Sequence, residues 1–334
     1  MVIFKLNIKI IIFVFIAFLI SFSALYLFQL WSKSYVEIFK LENNFFMSNF
    51  DTDKKKILLL GSSEIGVLNA TYINENLKKH NMDYVVYNLA IPSDTPTQRL
   101  QSIDKIISMN PKLVIYCIGY RDFADKSTII KSEIEKSNDL FPTSNQIFDS
   151  YMLENNVNSF LNLQSPKFVS IQVLNTFFNS FNPESKYEKT QWITNNTPFL
   201  TNFKETQFIK NSTELELEYK KHPPNLGFLN FPDENNEVMA LENTIEKLKD
   251  HDVKVVILIT PHAKIFHKNL SDHNKNAFNL ALQKLSEHNV VIYSVDNKYE
   301  NLDIWYDYYH VSIAKDALVF TNDVLSIIES EINS

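Results

Sequence analysis

Five short apolar segments constrain the fold of this 334-residue chain most strongly. Each is a near-continuous run rich in Val, Ile and Leu, without the strict alternation of apolar and polar residues that marks a half-solvated sheet. Such runs are typical of strands covered on both faces, and they predict a parallel sheet. The segments are Ile57–Leu60, Tyr84–Asn88, Leu113–Ile118, Val253–Thr260 and Val290–Ser294.

Segments with helical character lie between these runs and after the last one. The alternation of strand and helix predicts an α/β fold, a three-layer α/β/α sandwich with a five-stranded parallel sheet and right-handed crossovers. A chain in which 45% of the residues are hydrophobic can bury the core that such a sandwich needs. The predicted helices are Ala70–His80, Thr97–Met109, Asn235–His251, Ser271–His288 and Ile313–Ile332.

One region interrupts this alternation. Residues 124–235 separate the third and fourth predicted strands by far more than an ordinary crossover, and they are rich in Asn, Thr, Phe and Tyr. Loops of this length inside compact domains are usually functional or disordered. The aromatic content favours a partly ordered lid or substrate platform. We therefore predict one domain over residues 54–334 that carries an insertion at about 124–235.

The segment from Ile10 to Trp31 contains no charged side chain. A helix of about 20 apolar residues spans a bilayer, so we predict a transmembrane anchor over residues 1–33 and a stalk over residues 34–53. Lys5 and Lys9 precede the segment. The resulting charge bias is slight, and it orients the amino end inside and the carboxyl end outside.

The alternative for this segment is a cleaved signal peptide with Ser21-Phe22-Ser23 as its small-residue cleavage site. The apolar run continues beyond that point through Phe28, which favours the anchor. The sequence thus predicts a single-pass membrane protein whose folded domain is extracytoplasmic.

Charge and composition exclude several classes of function. The formal net charge of -7 offers no basic patch for nucleic acid. The stretch Gly61–Gly66 lacks the Gly-Lys-Ser/Thr ending of a phosphate-binding loop, and no cofactor is expected. No metal site is expected either, because most of the histidines lack a close grouping of ligands along the chain. These are His80, His222, His251, His267, His273 and His288.

Polar residues follow several of the predicted strands. In an open parallel sheet, ligands bind beyond the carboxyl ends of the strands, where such residues converge. A serine on a tight turn from strand to helix is exposed, and the helix start offers backbone N–H groups. The four segments are Gly61-Ser62-Ser63-Glu64, Asn88–Thr95, Gly119-Tyr120-Arg121-Asp122 and Asp307-Tyr308-Tyr309-His310.

The order of these blocks resembles that of the SGNH (GDSL-like) hydrolase family, which has a flavodoxin-like sheet. The resemblance covers about residues 56–123 and 235–332. It implies that Ser63 is a nucleophile, that His310 is its base and that Asp307 orients the base, as in a serine triad. From the residues alone, Ser63 could instead be a helix N-cap, and Asp307 and His310 a turn and a surface imidazole.

The middle blocks depart from the family pattern. The family's oxyanion glycine falls at Ser93, whose backbone N–H is still able to donate, and the asparagine of the third block falls at Arg121. Arg121 could hold an oxyanion, bind an acidic substrate, or pair with Asp122 or Asp94. Together with Gly61 and Ser62, Ser93 and Arg121 are the predicted oxyanion and substrate contacts. The expected cleft lining is Asp94, Asp122, His262 and Tyr308, where His262 could also simply face solvent.

An SGNH domain on one membrane span resembles the accessory O-acyltransferases and esterases of cell-envelope glycans, such as those of alginate acetylation and teichoic-acid D-alanylation. The resemblance implies acyl transfer to, or deacylation of, a cell-surface glycan, with a multi-span membrane protein as the acyl donor. Two alternatives are a carboxylesterase or lipase acting near the membrane, and a degenerate module that binds glycan without catalysis.

Overall fold

The computed structural model describes residues 53–124, 208–224, 226–313 and 318–333, together with 15–17, 19, 21, 23, 45, 46, 197 and 198. Most of the predicted stalk, most of the predicted insertion and most of the predicted anchor lie outside the described residues. Within the described part of the chain, no helix is both long and apolar enough to cross a membrane. The chain divides into two compact units. The sheet and the candidate site belong to the unit that Asn44–Leu140 and Tyr187–Ser334 form together.

A five-stranded sheet forms the centre of this unit, and all its strand pairs are parallel. The order across the sheet is β2-β1-β3-β4-β5. The interior strands are buried along nearly their whole length, which confirms the five-stranded parallel α/β sheet that the continuous apolar runs predicted. The strands are β1 (Lys55–Leu60), β2 (Tyr84–Asn88), β3 (Pro111–Ile118), β4 (Lys254–Ile259) and β5 (Val291–Ser294).

Eight α-helices are described over their full length, and their apolar side chains pack into one core with the sheet. Asparagine or serine side chains cap several helix starts, as they do before Ala70 and Asn236. The helices are α1 (Ala70–Lys79), α2 (Pro96–Gln101), α3 (Ile103–Ser108), α4 (Ser212–Lys221), α5 (Asn236–Lys249), α6 (Lys264–Asn269), α7 (Asp272–Ser286) and α8 (Val319–Asn333).

Two predicted helix boundaries were wrong. The segment predicted as one helix over 97–109 divides at Ser102, where φ is -100° and ψ is 5°. The last helix begins at Val319 instead of Ile313. Near the predicted start, Val311 bridges Trp305 and the Ser312 N–H bonds the Ile304 carbonyl, so these two residues pair with a neighbouring segment. The helix α4, inside the predicted insertion, was not expected.

Candidate active site

The turn after β1 places Ser63 at the carboxyl edge of the sheet. Gly61 has φ of 150°, and a Cβ there would lie 2.8 Å from the Cys117 carbonyl oxygen of the neighbouring strand. Glycine is therefore required for the chain to leave the strand at this point. Ser62 has extended backbone and directly precedes a short 3₁₀ turn over Ser63–Ile65, without a capping hydrogen bond from its side chain. The turn presents the hydroxyl of Ser63 beyond the strand end.

Ser63, His310 and Asp307 form one hydrogen-bonded chain. Oγ of Ser63 lies 2.9 Å from Nε2 of His310, and Nδ1 of His310 lies 2.8 Å from Oδ2 of Asp307. The other carboxylate oxygen, Oδ1, accepts the backbone N–H groups of Tyr309 and His310, each at 2.7 Å. These bonds fix the carboxylate, so that Asp307 holds the imidazole with Nε2 towards the serine. The arrangement is that of a serine nucleophile with its base.

The surroundings of His310, above all Asp307, favour the charged form of its imidazole more than water does for a free histidine side chain. Burial acts to lower the pKa of His310, but the charge and hydrogen bond of Asp307, with a contribution from Glu64, outweigh it and raise the pKa. Burial likewise acts to raise the pKa of Asp307, and the His310 contacts and backbone N–H groups bring it below its usual value. A proton taken from Ser63 would therefore be well accommodated on His310.

Ser93 occupies a backbone conformation that suits glycine. Its φ is 60°, in a turn closed by the Asp94 N–H bonding the Ile91 carbonyl, with Pro92 at the second position. A left-handed third residue after proline is the pattern of a type II turn. The side chain is exposed, and the Ser93 N–H has no hydrogen-bond partner among the described residues, as is also true of the Ser63 N–H. Both backbone groups can therefore donate to an oxyanion.

Arg121 was considered as an ion-pair partner for Asp94 or Asp122, but its guanidinium lies over an aromatic ring. The guanidinium lies 5.1 Å from the centre of the ring of Tyr309, the residue before His310, and the Arg121 side chain is exposed. A cation over an aromatic face is a stabilising contact that leaves the guanidinium donors available. Asp94, a partner considered from the sequence, is instead buried against Arg99, which donates to it from Nε at 2.7 Å and also from Nη2. Arg121 thus presents a positive charge to solvent beside the triad.

Three residues expected to line the cleft are buried instead. Asp94 is 6% exposed in its pair with Arg99, and Asp122 is 5% exposed. One carboxylate oxygen of Asp122 accepts the Gly119 N–H at 2.7 Å. Burial, with the nearby charge of Glu64, raises the pKa of Asp122. His262 is 0% exposed, so the expectation that it lines the cleft or faces solvent was wrong.

Tyr308, the fourth residue expected in the cleft, packs behind the triad. Its hydroxyl donates to the His222 carbonyl at 2.6 Å, and its ring meets the ring of Tyr219 edge-on. Burial, followed by the nearby charge of Asp307, raises the pKa of Tyr308 to about 12. The residue therefore joins the triad segment to α4 and keeps its proton at neutral pH.

A buried polar cluster behind the nucleophile turn was not predicted. Glu64, the residue after Ser63, is 3% exposed and accepts a hydrogen bond from Oγ1 of Thr260 at 2.5 Å. A Cβ on Gly119 would lie only 2.6 Å from Oε2 of Glu64. The same Cβ would lie 3.1 Å from Nε2 of His262. The cluster connects the ends of three strands. The only sign of it in the sequence is Gly119, where a larger residue would collide with these side chains.

Comparisons with known proteins reveal distant resemblances. No protein-family model and no curated protein matches the chain. Similar solved structures include an acetyl xylan esterase, AlAXEase, at 15% identity over 83% of this chain and 99% of that one, with a TM-score of 0.42. Another is the psychrotrophic esterase EstA from Pseudoalteromonas sp., inhibited by monoethylphosphonate, at 10% identity over 84% and 100%, with a TM-score of 0.40.

A third similar structure is a GDSL-like lipase from Bacteroides thetaiotaomicron, at 10% identity over 91% of this chain and 97% of that one, with a TM-score of 0.40. These identities are too low for an activity to be carried over, so the assignment of the site rests on its geometry. The strand order, the serine after β1 and the Asp-x-x-His segment before α8 are features of this chain's own structure.

Proposed function

We propose that this chain performs serine-dependent acyl-ester chemistry, O-acyl transfer to or deacylation of a cell-surface glycan. The observation that carries the proposal is the hydrogen-bonded chain from Ser63 through His310 to Asp307, with contacts of 2.9 Å and 2.8 Å. A serine hydroxyl is a weak nucleophile unless a positioned base takes its proton. This geometry provides such a base, and Asp307 provides the charge that stabilises the imidazolium.

The proposed reaction has two halves. In the first, His310 Nε2 takes the proton of Ser63, and Oγ bonds to the acyl carbon of the donor ester. The backbone N–H groups of Ser63 and Ser93 stabilise the resulting oxyanion, a contribution of roughly 3–4 kcal/mol for a well-placed donor. The donor C–O bond then breaks, and its oxygen leaves with the proton from His310. The products of this half are the acyl-serine and an alcohol.

In the second half, a sugar hydroxyl or water gives its proton to His310 and attacks the acyl carbon. The bond from the acyl carbon to Ser63 Oγ breaks, and Oγ recovers the proton. With a sugar acceptor the net reaction is acyl transfer, and with water it is hydrolysis of the ester. The same residues serve both outcomes, so the acceptor decides which reaction is observed.

The setting of the reaction also belongs to the proposal. The uncharged segment from Ile10 to Trp31 supports a single membrane anchor that holds the domain outside the cytoplasm. An enzyme held at the membrane can receive an acyl group from a multi-span partner and pass it to a nearby glycan. The exposed guanidinium of Arg121 beside the triad supports an acceptor that carries carboxylate or phosphate groups.

The first experiment is covalent labelling of the full chain, purified in detergent, with a fluorophosphonate probe, followed by mass spectrometry of the peptides. We expect an adduct on Ser63 that is lost in His310→Ala. His273→Ala is the matched control, because His273 lies on α7, where its Nε2 bonds the Leu229 carbonyl, and it should label as the wild type does. Absence of any adduct in folded wild-type protein would overturn the serine mechanism.

The unlabelled protein allows the competing activities to be separated, whereas an adduct on Ser63 would block turnover. Faster turnover of an acyl ester in the presence of an acceptor oligosaccharide, with the acyl group recovered on the sugar, would establish transfer. Rapid release to water from short p-nitrophenyl esters, without transfer, would establish an esterase. Glycan binding retained by Ser63→Ala, in a wild type that never labels, would establish a non-catalytic binding module.

A further inference from the structure

Two histidines and an aspartate meet beside the candidate active site, and the triad does not use them. His262 follows β4, His267 lies in α6, and Asp296 follows β5. One ligand atom from each lies within 4.8 Å of the others. Imidazole nitrogen and carboxylate oxygen are the donors that zinc and similar divalent ions prefer. The residues come from three separate segments, which is why their spacing along the chain gave no metal signal.

Two of the three distances among these atoms are close to those around a bound ion. Nδ1 of His262 lies 2.8 Å from Oδ1 of Asp296, and Nε2 of His267 lies 3.3 Å from the same oxygen. Four donors at about 2.0–2.2 Å from a zinc ion stand roughly 3.3 Å apart in a tetrahedron. The 3.3 Å pair already has this spacing, and the 2.8 Å pair would have to open by about 0.5 Å to admit an ion. Oε1 of Glu300, which is 3.9 Å from Nε2 of His267, is placed to supply a fourth donor.

An orphaned nitrogen supports the same interpretation. His262 is fully buried, and its Nε2 has no hydrogen-bond partner among the described residues. That nitrogen faces Oε2 of Glu64 at 3.9 Å. If neutral His262 donates from Nδ1 to Asp296, the Nε2 lone pair points towards a carboxyl group. A metal on Nδ1 moves the proton to Nε2, which then faces an acceptor, the usual arrangement behind a metal-binding histidine.

The surroundings hold the three side chains in place. The His262 ring stacks on Phe266, with centroids 4.6 Å apart and planes inclined by 22°. The Tyr120 hydroxyl donates to Oδ2 of Asp296 at 3.3 Å, which leaves Oδ1 directed at the histidines. The side chains of His267 and Asp296 are 17% and 18% exposed, so an ion can enter from the surface. A rigid, accessible set of donors is what a metal site requires.

We propose that His262, His267 and Asp296 bind one divalent transition-metal ion of the zinc type, with Glu300 or a water as the fourth donor. The ion would sit behind the nucleophile turn, connected to it through His262 and Glu64. Its role is structural, because no ligand atom belongs to the triad.

Zinc titration of the full chain, stripped with a chelator and followed by calorimetry, tests the proposal. We expect one ion per chain, and an affinity at least about tenfold weaker in His267→Ala and in Asp296→Asn. Both positions are partly exposed, so these variants should fold, which circular dichroism would verify. His288→Ala is the matched control, since His288 contacts two carboxylates of α5 on the surface, at 3.1 Å and 3.5 Å, and its loss should leave the affinity unchanged.

Two results would overturn the site. One is a folded wild-type chain that binds no zinc. The other is binding that His267→Ala and Asp296→Asn leave intact, which would mean that the ion sits elsewhere. Replacement by Co²⁺ gives an independent measurement, because the ligand-field bands of a four-coordinate ion are far stronger than those of a hydrated one. We expect these bands in the wild type and in His288→Ala, and their loss in His267→Ala.

Discussion

Oγ of Ser63 lies 2.9 Å from Nε2 of His310, although 247 residues separate the two in the chain. Parallel strands direct all their carboxyl ends to one edge, and the segment before α8 returns to that edge. Ser63 lies in the turn after β1. His310 lies in an irregular segment that packs against the sheet. The contact is therefore a product of the topology and is sensitive to anything that moves either turn.

Labelling of Ser63 should depend on the protonation of His310. The base must be neutral to take the serine proton, and the pKa of His310 is raised above its usual value of 6.5. We therefore expect the rate of fluorophosphonate labelling to increase with pH and to reach half its maximum above pH 6.5. Rates measured across this range in several buffers check the prediction, and a midpoint below 6.5 would contradict it.

Asp307→Asn should change both the midpoint and the maximum of that profile. The substitution removes the charge that raises the pKa of His310, so the midpoint should move to lower pH. It also removes the acceptor that fixes the imidazole tautomer, and an equivalent loss in a serine protease lowers the rate by roughly 10⁴-fold. Labelling at the plateau should fall by a comparable factor. An unchanged midpoint would mean that Asp307 does not act on His310 through its charge.

Ser93→Gly should stabilise the protein. A non-glycine residue in the left-handed region costs about 1–2 kcal/mol, and glycine loses about 0.5–1 kcal/mol through its extra freedom when unfolded. The net expectation is a gain of roughly 0.5–1 kcal/mol in the free energy of unfolding, measured by denaturant titration. Asn81→Gly is the control: φ there is 57°, but asparagine tolerates this conformation, so the gain should be smaller. Labelling should survive, because the donor at position 93 is a backbone N–H.

The sheet and the order of the site segments could be predicted from sequence because each depends on local pattern. Continuous apolar runs identify buried strands, and polar residues directly after them must lie at the shared carboxyl edge. The break at Ser102 could not be predicted in this way, since the apolar periodicity continues across it. A single residue outside helical backbone leaves no trace in a hydrophobic pattern.

Side-chain partners were harder to predict than positions. The sequence suggested Arg121 as a partner for Asp94, yet Arg99, five residues further along the chain in α2, is the residue that reaches it. The burial of Glu64 and His262 was also missed, because both come from segments that lead towards the site. Whether such a side chain faces the cleft or the interior depends on the turn's backbone angles, which composition and spacing do not specify.

Gly119→Ala should disturb the buried cluster behind the nucleophile. The added Cβ would lie 2.6 Å from Oε2 of Glu64 and 2.9 Å from Oγ1 of Thr260, two buried groups that already bond each other. Overpacking of this kind costs about 1–3 kcal/mol. Since Glu64 follows Ser63, we expect slower labelling as well as a lower free energy of unfolding. Gly66→Ala is the control, because φ of -56° and ψ of -23° suit alanine.

Arg121 should determine the KM of the site for negatively charged substrates. Its exposed guanidinium beside Tyr309 can bind a carboxylate or phosphate of a substrate, and a charged hydrogen bond contributes about 1.5–3 kcal/mol. Arg121→Ala should therefore raise KM for an anionic acyl-oligosaccharide by about tenfold or more, while hydrolysis of neutral p-nitrophenyl acetate stays unchanged. Arg121→Lys keeps the charge but loses the paired donors, so its KM should be intermediate. An equal fall in kcat for both substrates would instead mean that Arg121 stabilises the oxyanion.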